Sequence, residues 1–492
     1  MSRALTQQEL RILARLRGQI NAQRRRNTLR DRYDDGEHIL DKMPISIPDS
    51  MKGLRIPVGW PAKACNARAS RMKPIGYSNR VRTELLDTID EVFTANHWRE
   101  MERQAIRSAI RHGVAFVFTS RGDATLGEPE VLITVRDAHT ASSILDPRTR
   151  RTLAALEIVD AYTPPGGFPL SAQLLYLPGV TLHIERDHNR EYRVVEEYAT
   201  GTQRVLCSPY VHDGTLQRPF GRSGITRELM GLTDLGVRTL LRFESTSEFY
   251  SAPRVWMKSA IANMFEESDD DAAIRTGFEH VIGAIFGLPE IFDEETGEII
   301  RPELHQLPQV TMQPLSDGFR MIAAAVSGET SVPLHYLGVV QDSNPTSEGA
   351  IKASELDLVN ISIYQQTSFN IGRRSLALDV LTVAENGLTE TAMKDLRTLT
   401  PRWDSPSTES VTEQSLMVAQ QVQAGNFQPG SETTLRQLPI PEDDVQAFAN
   451  EARAAAGRNR VKQFLDEAQA KLAQAPADPP ATGEAAAEPV AT

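Results

Sequence analysis

Cysteine is nearly absent from this chain: Cys65 and Cys207 are the only two in 492 residues. Thiols that far apart exclude a disulfide framework and a zinc site built on cysteine, and they suit a reducing compartment. Long apolar runs are missing as well. No stretch approaches the roughly 18 residues of a membrane span. Residues 1–30, interrupted throughout by Arg and Gln, hold no signal-peptide core. These absences predict a soluble chain, intracellular or assembled inside a cell, with no membrane partner. Familiar catalytic signatures are also lacking: there is no GxxxxGKS/T phosphate loop, no GxGxxG, no HExxH, no GxSxG and no EF-hand loop. The ten histidines show no i, i+4 pair. His183 and His188, five apart, read as surface residues rather than metal ligands. The expectation is a protein that is not an enzyme and carries no cofactor and no metal.

What is present is close to the globular average, with 40% apolar and 24% charged residues. The length exceeds the roughly 250–300 residues that one core serves, so more than one structural region is expected. The formal net charge of −12 is unevenly spread. Residues 1–32 carry nine arginines against Glu9 and Asp31, a local +7 that includes the run Arg24-Arg25-Arg26. With Leu5, Ile12, Leu13, Leu16 and Ile20 at helical spacing, this reads as an amphipathic helix. Its basic face is either solvated or a docking arm for an acidic partner or nucleic acid. Residues 265–300 carry eleven acids against Arg275, a local −10 that includes Asp269, Asp270, Asp271, Glu294 and Glu295. That segment reads as a solvated, turn-rich region that would repel phosphates.

The periodicities predict helices over 3–34, 61–73 and 82–112. Short strands follow at 114–119, 131–135, 153–159, 174–177, 180–184 and 192–195, separated by Gly, Pro and Asp turn signals. Helices before and strands after make an α+β fold with an antiparallel sheet. Helices return at 225–250 and 314–327, able to run antiparallel as a stalk with the acidic insertion at its far end. After a Pro/Gly loop, one very long helix is expected from Pro345, capped by Asn344, to about Glu385, some 60 Å in length. A strand near 396–403, polar helices over 411–472 and a disordered Ala/Pro/Glu tail complete the chain.

Several segments in this order resemble the portal proteins of tailed bacteriophages, the head-to-tail connectors, and most of all the subclass common in phages of actinobacteria. They are Phe220–Arg227, Leu232–Asp234, Arg238–Leu241 and Glu248–Arg254, then Gly328–Leu334, Tyr336–Gly338 and Asn344–Ile351. Upstream, Arg32-Tyr33, Gly36–His38, Gly113–Val117 and Asp146–Arg151 fit the same family, so the resemblance covers about residues 10–460. It implies a ring, typically a homo-oligomer of twelve, with wing, stem, clip and crown regions. The wing would be 1–224 with a return strand in 386–410. The stem would be 225–250 and 313–330, and the clip 251–312. The tunnel-loop region would be 331–344, with Gln341, Asp342, Ser343 and Asn344 at its tip, followed by the long helix 345–385. The crown would be 411–470 and the tail 471–492. The family's role would make the chain a non-enzymatic channel for double-stranded DNA at one capsid vertex. It would be assembled in the host cytoplasm and carried in the virion. Its partners would be the large terminase subunit, a head–tail adaptor, the major capsid protein and a scaffolding protein. In this picture the clip acids form a docking surface and Arg24, Arg25 and Arg26 a basic arm. The residues alone leave two alternatives, another head or connector component and an unrecognised DNA-processing enzyme.

Overall fold

The computed structural model describes residues 3–458 apart from 44–46, 48–50, 52, 81–83, 160–171, 187–190, 252–254, 259–290, 293–298, 301–302, 307–310, 340–346, 408–410, 439, 441–443, 446 and 456. The fold is α+β. Two compact units are present, residues 1–407 and 408–492.

Helix α1 (Gln7–Asp34) begins where Thr6 accepts the Glu9 amide and Glu9 reaches back to the Thr6 amide, a capping box. Its start is therefore Gln7 rather than residue 3, because Arg3–Ala4 instead forms a short strand, β1, on the edge of a sheet. That sheet runs β1-β9-β8-β7-β6-β5, with β5 at Ala141–Leu145, β6 at Thr152–Val159, β7 at Ala172–Leu177, β8 at Val180–Arg186 and β9 at Tyr192–Ala199. Every pair in it is antiparallel, as the turn spacing predicts. Leu13, Leu16 and Ile20 of α1 pack with Leu156, Leu175, Leu182 and Val194 of the sheet in one buried cluster. The 3.6-residue period of the helix thus meets the two-residue period of the strands.

A second core lies between helices α2 (Trp60–Arg71), α3 (Leu85–Ala95) and α4 (Trp98–His112) and a three-stranded sheet, β10-β3-β4 (Cys207–Val211, Val114–Arg121, Val131–Arg136). Val114 to Phe118 are all buried, which explains a continuous apolar run in place of an alternating one. The expected helix 82–112 is two helices. His97 takes a left-handed conformation (φ 49°), and Asn96 leaves the helix to bond β4 at Val131 O (2.7 Å) and Ile133 N (2.9 Å).

Helix α5 (Arg227–Ser251), expected from residue 225, is capped by Thr226, whose hydroxyl accepts from Leu229 N. It runs antiparallel to α6 (Gln313–Thr330): Thr226 at the start of α5 donates to Glu329 at the end of α6 (2.8 Å). The hairpin continues into β11 (Val255–Lys258) paired antiparallel with β14 (Glu303–Gln306). Between these two strands in sequence, β12 (Ile291–Phe292) pairs with β13 (Ile299–Ile300), on either side of the expected acidic turn. Helix α7 (Glu348–Ala384) has 37 residues, about 55 Å of helix. Ser347, not Asn344, is its N-cap, accepting from Ala350 N. The expected strand near 396–403 narrows to β15 (Thr400–Trp403), because Glu390–Asp395 is helical. It pairs with β2 (Pro74–Ser78), so the chain returns to its N-terminal half. In the second unit, Val411–Gln423 is helical and Val418, Val445 and Ala449 are buried.

Candidate functional surfaces

Helix α7 is held by buried ion pairs rather than by apolar contact alone. Arg373 Nε lies 2.8 Å from Glu102 Oε1 of α4, and its guanidinium sits 4.5 Å from the Trp403 ring and 5.2 Å from the Tyr77 ring. Tyr210 donates to the same carboxylate oxygen (2.9 Å). Asp379 is fully buried between Arg204 and the Ser208 hydroxyl. Burial raises its pKa, while Arg204 and Ser208 pull the other way. Nearer the start of α7, Arg71 lies 2.9 Å from Glu355, whose other oxygen accepts from Tyr336. These pairs tie α7 to α2, α4 and β10 at three levels. Removing one member would leave its partner buried without a counter-charge.

The opposite side of α7 exposes large apolar side chains, with exposed Asn360 and Thr367 set between them. Leu356, Ile363, Tyr364 and Ile371 are between 47% and 74% exposed and recur at spacings of seven and eight along one face. They mark a strip about 22 Å long.

Of the residues singled out in the sequence, Gln341, Asp342, Ser343 and Asn344 lie outside the described residues, as do Asp269, Asp270, Asp271, Glu294 and Glu295. The described chain reaches Val339 on one side of the loop and Ser347 on the other, and it reaches the acidic segment through the α5–α6 hairpin. Arg24, Arg25 and Arg26 are exposed on α1. Consecutive helical residues step by about 100°, so the three point to different sides. Arg24 faces the neighbourhood of His139 and Arg26 that of Arg30.

A cluster the sequence did not reveal joins three distant segments. Asp31 on α1 receives His112 Nε2 at Oδ1 and His139 Nε2 at Oδ2, both at 2.7 Å, and Arg111 Nε also lies 2.7 Å from Oδ1. Arg107 pairs with Asp34, and Arg111 with Asp34 and Asp35. Burial alone would raise the Asp31 pKa; the bonds from His112 and His139 and the charge of Arg111 outweigh it and hold the carboxylate well below its usual range. Ligand atoms of Asp31, His112 and His139 lie within 4.8 Å of one another, spacing that a metal ion could span. Arg111 already neutralises this carboxylate, so the group acts as an ion-pair clamp between the ends of α1 and α4. No i, i+4 spacing connects these residues, and only the tertiary fold assembles them. His183 lies 3.8 Å from Glu185, and His188 is outside the described residues.

No described helix is long and apolar enough to cross a membrane. No family model matches the chain. Among curated proteins it is similar to the portal protein of Mycobacterium phage D29, 26% identical over 333 residues. It is also similar to the portal protein of Mycobacterium phage L5, 24% identical over 331 residues. Each match covers 66% of this chain and 65% of the relative, so the chain spans just under two thirds of the length of these relatives. Among solved structures, a chain from the neck of an empty gene transfer agent particle is 10% identical with a TM-score of 0.44, covering 78% of this chain and 90% of that one. A chain from the virion of the native particle is 11% identical with a TM-score of 0.41, covering 77% and 90%. Over 66% of its length the chain is thus similar in sequence to portal proteins of mycobacterial phages, in agreement with the resemblance that its motifs carry.

Proposed function

We propose that this chain is the subunit of a phage portal ring, a non-enzymatic channel for double-stranded DNA at one vertex of the virion capsid. The observation that carries the reading is the unpartnered apolar strip on α7 in a chain whose sequence is similar to portal proteins. A helix of 37 residues fixed on one side by buried ion pairs, with four large apolar side chains exposed on the other, calls for a neighbour. In a ring that neighbour is a second copy of the same chain. The antiparallel α5–α6 pair, extended by β11 and β14, supports assignment as the stem leading to a clip at 251–312. The pairing of β15 with β2 supports a wing built from 1–224 plus the return strand. The tunnel loop is placed at Gln341–Asn344, ahead of α7, and the crown at 411–470. Asp269, Asp270, Asp271, Glu294 and Glu295 serve as an acidic ring that keeps DNA centred and offers a docking surface to the terminase or a tail adaptor.

Negative-stain electron microscopy of the full chain tests the assembly directly. Closed rings of about a dozen subunits with a central hole are expected. A protein that stays monomeric at every concentration reached would overturn the reading.

A further inference from the structure

We infer that Arg26, Arg30, Arg218 and Arg227 form a site for the phosphate backbone of double-stranded DNA. Arg26, Arg30 and Tyr33 recur at i, i+4 and i+7 and so share one flank of α1. Tyr33 donates to Asp234 on α5 (2.8 Å), so that flank faces the start of α5, where Arg227 is the first residue. The loop carrying Arg218 is stitched to the same corner, with His212 N bonded to Gly113 O (2.9 Å), Arg222 N to His212 O (2.9 Å) and Gly224 N to Ile110 O (2.7 Å). Arg107 and Arg111 clamp that end of α4 to the last turns of α1.

Among the described residues, none of these four guanidiniums has an ion-pair or hydrogen-bond partner. The neighbouring acid, Asp31, is engaged by Arg111, His112 and His139, and Glu228 follows Arg227 by about 100° around the helix. Arg30 is half-buried; burial lowers its pKa, and the charges of Arg26, Arg218 and Arg227 lower it further, against the opposing charge of Asp31. Like charges at i, i+4 also weaken a helix by a few tenths of a kcal/mol, roughly. A corner that gathers four such cations is completed by an anion.

Chemistry selects the anion. All four side chains are arginine, whose planar fork matches phosphate oxygens in pairs. They come from a helix, a loop and a second helix start, which suits contacts along a backbone rather than to base edges. The same loop carries Leu216, 91% exposed, an apolar prominence of the kind a protein partner would grip, and the test below separates that partner from DNA. The site is independent of the ring reading, since it needs only one subunit.

The test is fluorescence anisotropy of the full-length protein with a labelled duplex of about 20 base pairs at about 50–200 mM salt. Log affinity is expected to fall linearly with log salt. The double variant Arg26→Ala/Arg30→Ala, eluting in the same assembly state, should reduce the slope by about 1.8, and Arg218→Ala or Arg227→Ala by about 0.9 each. Arg30→Lys should retain the slope. Leu216→Ser and Arg11→Ala, the latter at the far end of α1, should bind like the parent. An unchanged slope in the double variant overturns the inference. So does displacement by poly-glutamate as effective as by duplex, accompanied by weaker binding of Leu216→Ser, which would assign the corner to an acidic protein.

Discussion

Asp31 accepts hydrogen bonds from two histidine rings that belong to different segments, and this gives the α1–α4 junction a pH dependence of calculable sign. The bond to Asp31 raises the His139 pKa above its ordinary 6.5, with burial and Arg24 opposing and Asp137 assisting. A group that holds its proton more tightly when folded stabilises the fold fully below pH 6.5, and the contribution is lost as pH rises through the folded value. Asp31 behaves in the opposite sense. Its depressed pKa stabilises the fold above its ordinary 3.8, and that contribution is lost as pH falls through the folded value. The junction is therefore tightest in the interval between. His139→Gln keeps an N–H donor but cannot titrate. Thermal unfolding at about pH 6 and about pH 8 should show a smaller loss of Tm with rising pH in the variant than in the parent. Equal losses in the two proteins would remove His139 as the titrating group. None of this was legible in the sequence, where Asp31, His112 and His139 are 81 and 108 residues apart in their two bonded pairs.

At the scale of elements, most helices and strands follow from periodicity, and the misses have local causes. The chain breaks at Asn96-His97 because the Asn96 amide substitutes for a strand neighbour at the edge of β4. Ser142 and Ser143 interrupt the apolar pattern of β5, yet both are buried, Ser142 donating to Leu16 O of α1. Buried serines such as these, Ser142 bonded across the fold and Ser143 within the core, hide a strand from any local rule. Helix α7 contains two glycines that look alike in sequence and differ in context. A Cβ on Gly372 would lie 2.5 Å from Pro209 O and 2.9 Å from Tyr210 Cδ1, so α7 crosses β10 at this point. A Cβ on Gly349 would meet nothing within 4 Å. Gly372→Ala should therefore destabilise the protein by about 1–3 kcal/mol, since the backbone of β10 cannot rotate aside. Gly349→Ala should stabilise it by up to about 1 kcal/mol through helix propensity. Denaturant unfolding of both variants checks the pair, and a loss of stability at Gly349 or none at Gly372 would contradict the packing of α7.

For the whole molecule, the question is what covers the outer face of α7. Leu356, Ile363, Tyr364 and Ile371 lie opposite a face that buries Leu358, Ser362, Gln365, Phe369 and Leu376. The helix thus has a finished side and an unfinished one. Full burial of large apolar side chains is worth about 1.5–3 kcal/mol each as an upper range, so four of them can contribute substantially to one subunit contact. That contact is repeated around a closed ring, so weakening it acts at every interface at once. Ile363→Glu/Ile371→Glu places two charges in the strip while leaving the Arg373–Glu102 pair and the Asp379 cluster untouched. The variant should fold, with an unchanged far-ultraviolet circular dichroism spectrum, and should elute as a monomer where the parent elutes as a ring. If it assembles at the same concentration as the parent, the strip is not the subunit contact. If it loses its helical signal, the strip packs within the subunit, and the support it lends to a ring is withdrawn.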